Sequence, residues 1–145
     1  MRIIQIIVKA FLIILFIPCL SWAATYYVDQ NHSAASDTNP GTELLPWLTI
    51  QKAADTIIAG DTVYIKEGIY NEQVIPQNSG SPGNYITYLA YPGDTVTIDG
   101  TGIPLPDWYG MFDITGKSHI KVSGLRVINS TDSGILAWES DHIII

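Results

Sequence analysis

The residues with most chemical reach fall late in the chain: Lys121 and Arg126, then Asp132, Glu139 and Asp141, with His119 and His142 among them. Asp132, Glu139 and Asp141 are carboxylates that make candidate metal ligands. They form no compact Asp-x-Asp run, and acids are common in the turns between strands. Lys121 and Arg126 could pair with a carboxylate on a ligand. A basic side chain can also act as a base when neighbouring cations and desolvation depress its pKa. Solvated charge on a strand's outer face is the plain alternative. His119 and His142 could share a metal, but two imidazoles lack the third ligand such sites carry, which favours a pair lining a turn. Trp108 and Tyr109 lie in a Pro-containing insertion, Thr101–Gly110, where exposed rings could stack on sugar faces or cover a flank of the fold.

Other polar residues read more simply. Asp61, Asp94 and Asp99 adjoin glycine at strand edges, where turn chemistry accounts for them. Tyr70 and Glu72, in a Gly-x-Tyr-x-Glu run, are expected to fix the first strands in place. The glycosylation sequons at Asn31 and Asn129 match chance.

The 145 residues carry 14 Asp+Glu against 7 Lys+Arg, a formal charge of −7. An acidic balance of this kind excludes a binder of nucleic-acid backbones, which needs a basic footprint. A charged fraction of 14% is too low for a charge-driven disordered chain. The length allows one domain. Met1-Arg2 and Lys9 precede the apolar run Ala10–Ile17, Pro18 breaks it, and Ser21 and Ala23 supply small residues at −3 and −1. The pattern predicts a secretory signal over residues 1–23. The run is short for a membrane anchor, and Pro18 is a poor neighbour for a lipid-modified Cys19. Cleavage would remove Arg2, Lys9 and Cys19, leaving a charge of −9 and no cysteine. Disulfides and thiol chemistry are thereby excluded from a secreted product that keeps no membrane anchor.

The elements that must position these residues are mostly short. Thr25–Val28 reads as a strand, followed by a polar loop from Asp29 to Pro46. Ile50, Ala53, Ala54, Ile57 and Ile58 make one apolar stripe at helical spacing, with Thr49 as N-cap and Gly60 at the C-terminal end. Beyond Gly60 the period changes to that of strands: Thr62–Ile65, Gln73–Ile75, Tyr85–Leu89 and Thr95–Ile98, separated by turn residues. No second helix is available for crossovers. Internal echoes decide between a sandwich and a coil. Gly110–Ile114 recurs at Gly134–Trp138, Ser118–Val122 at Asp141–Ile145, and Val96–Gly100 at Ile120–Gly124, each after 23 or 24 residues. Such a period suits a coil of three short strands, each stacked on its counterpart in the next coil. Ile120 would then lie beneath Ile143 and Val122 beneath Ile145, with Lys121 and Ser123 outward. The amphipathic helix would cover the open first coil.

Ordered along the chain are Thr25-Tyr26-Tyr27-Val28-Asp29, Asn39-Pro40-Gly41-Thr42, Pro46–Ala53 and Gly60–Ile65. Glu67–Glu72, Ser79–Thr87, Ala90-Tyr91-Pro92-Gly93 and Ile98-Asp99-Gly100 follow. Together they resemble the N-terminal region of secreted, pectin-lyase-like proteins similar to polysaccharide lyase family 9. The resemblance spans residues 25–145. It implies an all-β, right-handed parallel β-helix with a short N-terminal capping α-helix. Residues 24–60 would form the strand, loop and cap, and residues 61–145 the first coils of a longer solenoid. The apolar run at His142–Ile145, with no cap after it, agrees with that expectation.

The resemblance further implies cleavage of acidic, pectate-like polysaccharide by β-elimination. A base removes the proton beside a uronate carboxylate, and Ca²⁺ bound to that carboxylate neutralises its charge. In the family the Asp cluster and the basic residue lie further along the solenoid than Ile145. A chain of net −9 repels a polyuronate unless a cation bridges them. Two alternatives remain: a non-catalytic carbohydrate-binding or surface scaffold, and a glycoside hydrolase or epimerase on the same fold.

Overall fold

The computed structural model describes residues 23–145, so the signal pattern, except for Ala23, lies outside the described residues. Strand β1 (Thr25–Val28) leads into a loop wound about Trp47, which is 2% exposed. The Trp47 indole donates to the Asn39 carbonyl at 2.8 Å and stacks on Tyr26 at 4.7 Å. Gly41, with φ of 77°, lies so close to this ring that an added Cβ would come within 2.6 Å of it. A side chain there would displace the tryptophan.

Helix α1 (Ile50–Thr56) has its free N-terminal donors satisfied in turn. Asp37 accepts from the amides of Leu48 and Thr49, and Thr49 Oγ1 accepts from Lys52. Glu72 supplies the rest, one carboxylate oxygen to the Ile50 amide and the other to Gln51, both at 2.9 Å. These are the donors that a helix cannot satisfy internally. Thr49 is therefore the N-cap, as its position suggests, and Glu72 fixes the helix start from beyond the Gly68–Tyr70 segment. The other end differs from expectation. Ile57 is already extended, Ile58 is half exposed, and Gly60 (φ 95°) serves a separate turn closed by Asp61 N to Ile58 O. The buried stripe ends at Ile57, and Asn78 and Gln77 take the free carbonyls of Ile57 and Ala54.

Strands β2 (Thr62–Ile65), β4 (Ile86–Ala90), β7 (Ser118–Ser123) and β10 (Asp141–Ile144) extend β1 into a five-stranded sheet. A second sheet holds β3 (Gly68–Tyr70), β5 (Val96–Asp99) and β8 (Leu125–Ile128), and a third holds β6 (Gly110–Asp113) and β9 (Ser133–Leu136). Every pairing between these strands is parallel. From β2 onward successive strands enter different sheets, so the chain returns to each sheet one coil later without a helix; only β1 and β2, neighbours in the first sheet, are joined through α1.

Identical positions stack through the interior. Ile86, Ile120 and Ile143 form one row, Tyr70, Ile98 and Val127 another, and Val74, Phe112 and Ile135 a third. They belong to one core, which the buried helix residues Ile50, Ala53, Ala54 and Ile57 join beside the edge strand β1. Burying such side chains stabilises each by roughly 1.5–3 kcal/mol.

Further sequence expectations need correcting. Gln73–Ile75 is no strand: only Val74 bridges to Phe112. The Gly110 run pairs one residue earlier than its echo, Gly110 with Ser133 and Phe112 with Ile135. Val96–Gly100 does not stack on Ile120–Gly124, because β5 pairs with β8, Val96 opposite Leu125. Both runs are alternating strands ending in glycine before a corner, but the corners belong to different sheets. The Ile120–Ile143 pairing is found as expected, whereas Ile145 lies just past β10.

Candidate functional site: an aromatic groove

The insertion after β5 is built by hydrogen bonds to the next coil. Asp99 Oδ1 accepts from the Thr101 amide and hydroxyl and from Asn129 Nδ2, which together draw the Asp99 carboxyl below its ordinary value. Thr131 Oγ1 accepts from the Leu105 amide at 3.1 Å, and Asp132 Oδ2 accepts from the Trp108 amide at 2.6 Å. Trp108 has a φ of 69°, a left-handed conformation that is an outlier for a bulky residue, and it is 83% exposed. The next coil presents Trp138, 63% exposed, beyond β9.

Trp108, Thr115, Leu136 and Trp138 enclose an open, predominantly apolar groove of about 360 Å³. A more polar recess of about 280 Å³, with Asp107, Asp132 and Thr131 in its wall, adjoins it at Trp108. An apolar wall beside hydroxyl and carboxylate oxygens suits a ring with one CH face and polar edges. Of the residues singled out in the sequence, Trp108 is in this groove, whereas half-exposed Tyr109 is not among its walls. Trp138 and Leu136 were not singled out. Their signal was the echo of Gly110–Ile114 at Gly134–Trp138, which places an indole at the end of a repeated strand.

Lys121 and Arg126 do not converge. Lys121 is half-buried in β7 between Thr87 and Ile144, and Arg126 lies exposed in β8 of another sheet, beside Thr97. Asp132 is engaged with the Trp108 amide, while Glu139 and Asp141 lie in and after the turn that leads into β10. Among the described residues one set alone places three metal-binding atoms within 4.8 Å of one another: His119, Asp141 and His142. Two imidazoles and one carboxylate are a poor match for Ca²⁺, which takes six to eight oxygens. That set brings Asp141 together with neither Asp132 nor Glu139.

The family model described as Pel9A-like, right handed beta helix region matches residues 26–145. The chain belongs to this family. As a Pel9A-like chain it is 34% identical over 102 residues to YwoF, an uncharacterised protein of Bacillus subtilis, covering 70% of this chain and 21% of the relative. It is also 34% identical over 84 residues to the pectate lyase PEL9 of Emericella nidulans, covering 57% of this chain and 20% of that enzyme. A solved structure of a rhamnogalacturonan lyase superposes with a TM-score of 0.61 at 29% identity, over 74% of this chain and 29% of that one. A lacto-N-biosidase from Eubacterium ramulus, at 18% identity and a TM-score of 0.62, shares the fold. The Pel9A-like chain thus spans about a fifth of the length of the curated relatives it matches, of which PEL9 is a pectate lyase.

Proposed function

We propose that this Pel9A-like chain forms the cap and first coils of a secreted, right-handed β-helix that binds acidic polysaccharide and, in the full-length protein, cleaves it by β-elimination. The groove between Trp108 and Trp138 carries the reading, because two exposed indoles on successive coils offer a track along the solenoid rather than an isolated pocket. The pectate lyase and rhamnogalacturonan lyase relatives support an acidic polymer as the ligand. Calcium dependence belongs to this reading, with ligands outside the described residues. Arg126 and Lys121, on different sheets, then serve as outward charges rather than as the base.

The test is incubation of the full-length protein with polygalacturonate and with rhamnogalacturonan. The expected result is an unsaturated product absorbing in the ultraviolet, lost on adding a calcium chelator. New reducing ends without ultraviolet absorbance would replace elimination by hydrolysis. Binding without any cleavage would favour the second reading, a carbohydrate-binding scaffold. That alternative draws on the groove's having no base among the residues that line it.

A further inference from the structure

The His119, Asp141 and His142 cluster lies apart from the groove residues and has a chemistry of its own. Strands β7 and β10 hydrogen-bond in register, Ser118 opposite Asp141 and Ile120 opposite Ile143, which holds the two histidines at matching positions one coil apart. Both adopt left-handed backbone, φ 54° for His119 and 52° for His142, so both strands are kinked at the same place. Their rings lie parallel, 6° apart in tilt, with centroids 4.4 Å apart. Asp141 Oδ2 is 3.1 Å from His142 Nδ1.

His119 is the fixed member. It is 8% exposed, the Tyr85 ring meets it edge-on at 5.4 Å, and Gly80 lies against its backbone so closely that an added Cβ would reach 2.3 Å from the His119 carbonyl oxygen. Its Nδ1 is buried and has no hydrogen-bond partner among the described residues. Buried ring nitrogens are ordinarily paired, so this one lacks something the fold itself does not supply. His142 and Asp141 are exposed beside it.

We propose that His119, Asp141 and His142 form a site for a borderline divalent transition ion of the Zn²⁺ class, clamping one coil to the next. The donor set is two imidazole nitrogens and one carboxylate oxygen, which suits Zn²⁺, Ni²⁺ or Cu²⁺ and leaves a fourth position for water. The three donor atoms already lie within 4.8 Å. Coordination at about 2 Å per ligand requires them to draw in by roughly 1 Å and the parallel rings to splay so that their in-plane lone pairs converge. Because His119 is held in place, the two exposed side chains have to make that movement. This site is independent of the polysaccharide reading, and its test needs no enzyme activity.

The experiment is calorimetric titration of the chain with Zn²⁺, with Ca²⁺ in parallel, alongside thermal unfolding in each ion. The expected result is saturable binding of one Zn²⁺ per chain at micromolar or lower Kd and a rise of several degrees in Tm, with no response to Ca²⁺. His142→Asn and Asp141→Asn test the ligands. Asparagine tolerates the left-handed backbone, and both positions are exposed, so the fold should survive. Each is expected to weaken Zn²⁺ at least tenfold and to abolish the Tm rise, with the metal-free Tm unchanged. Absence of saturable Zn²⁺ binding, or undiminished binding by His142→Asn, would overturn the proposal and leave a stacked histidine pair with an aspartate neighbour.

Discussion

Asn129 donates its side-chain amide to the Asp99 carboxylate at 2.9 Å, joining two coils at the corner of the second sheet. One coil earlier, Asn71 donates to the carbonyls of Asp99 and Thr101. Gly100 lies between them, where an added Cβ would reach 2.6 Å from the Asn129 carbonyl oxygen. Asn129 has φ of 53°. Asparagine suits such a corner because its amide can bridge coils while its backbone tolerates the left-handed region. Asn129→Gly should therefore cost about 1 kcal/mol, from the exposed side-chain hydrogen bonds lost to Asp99 and Thr101. Asn129→Ala should cost about 2 kcal/mol, since backbone strain is added. Urea unfolding of the two variants checks the order.

Asp99 and Glu72 should pull the pH dependence of stability in opposite directions. Hydrogen bonds from Thr101 and Asn129 lower the Asp99 pKa from 3.8, so its contribution is present above that value and lost as pH falls through the lowered one. Burial raises the Glu72 pKa from 4.5, against the pull of the Ile50 and Gln51 amides. Its contribution is full below 4.5 and fades as pH climbs through the raised value. Urea midpoints measured across acid pH should show Asp99→Asn losing less stability on acidification than the parent.

Glu72→Gln should destabilise the chain by about 1–2 kcal/mol, because an amide NH₂ then faces one of the two helix N–H donors. The deficit should be largest below pH 4.5 and shrink as Glu72 ionises in the parent. Loss of the helical circular-dichroism signal before global unfolding would mark the site of damage.

Tyr88 carries a buried hydroxyl with no partner among the described residues, and burial pushes its pKa up. Its ring meets Phe112 edge-on at 5.1 Å. Tyr88→Phe should keep the ring contact, remove the unpaired group and raise stability by about 1 kcal/mol. Phe112→Ala, by contrast, should cost about 3–5 kcal/mol. Thermal unfolding of both variants decides the pair.

Trp108→Ala and Trp138→Ala should each weaken binding of an acidic oligosaccharide about tenfold, the worth of roughly 1.4 kcal/mol, with little change in Tm. Both rings are mostly exposed, so neither holds up the core. Titration of full-length protein carrying each substitution measures it. Unchanged affinity in both would remove the groove from the proposed function.

Much of this molecule is legible in residue order because it is built from local units. Thr49 announces the helix start, alternation announces the strands, and the echo from Ser118 to Asp141 gives the true pairing of Ile120 with Ile143. Each depends on neighbours within a few residues, or on a repeat length that a spiral of strands converts directly into contact. What the order of residues left open was which corner follows which strand. Val96–Gly100 and Ile120–Gly124 look alike as strings, yet the turn after the first leads out of the second sheet into the third, and the turn after the other out of the first into the second. The same holds for the chemistry. Lys121 and Arg126 are five positions apart and end on separate sheets, whereas Trp108 and Trp138 become the two walls of one groove. Only the folded chain settles such meetings, because turns of unequal length set which side chains arrive at the same height and face.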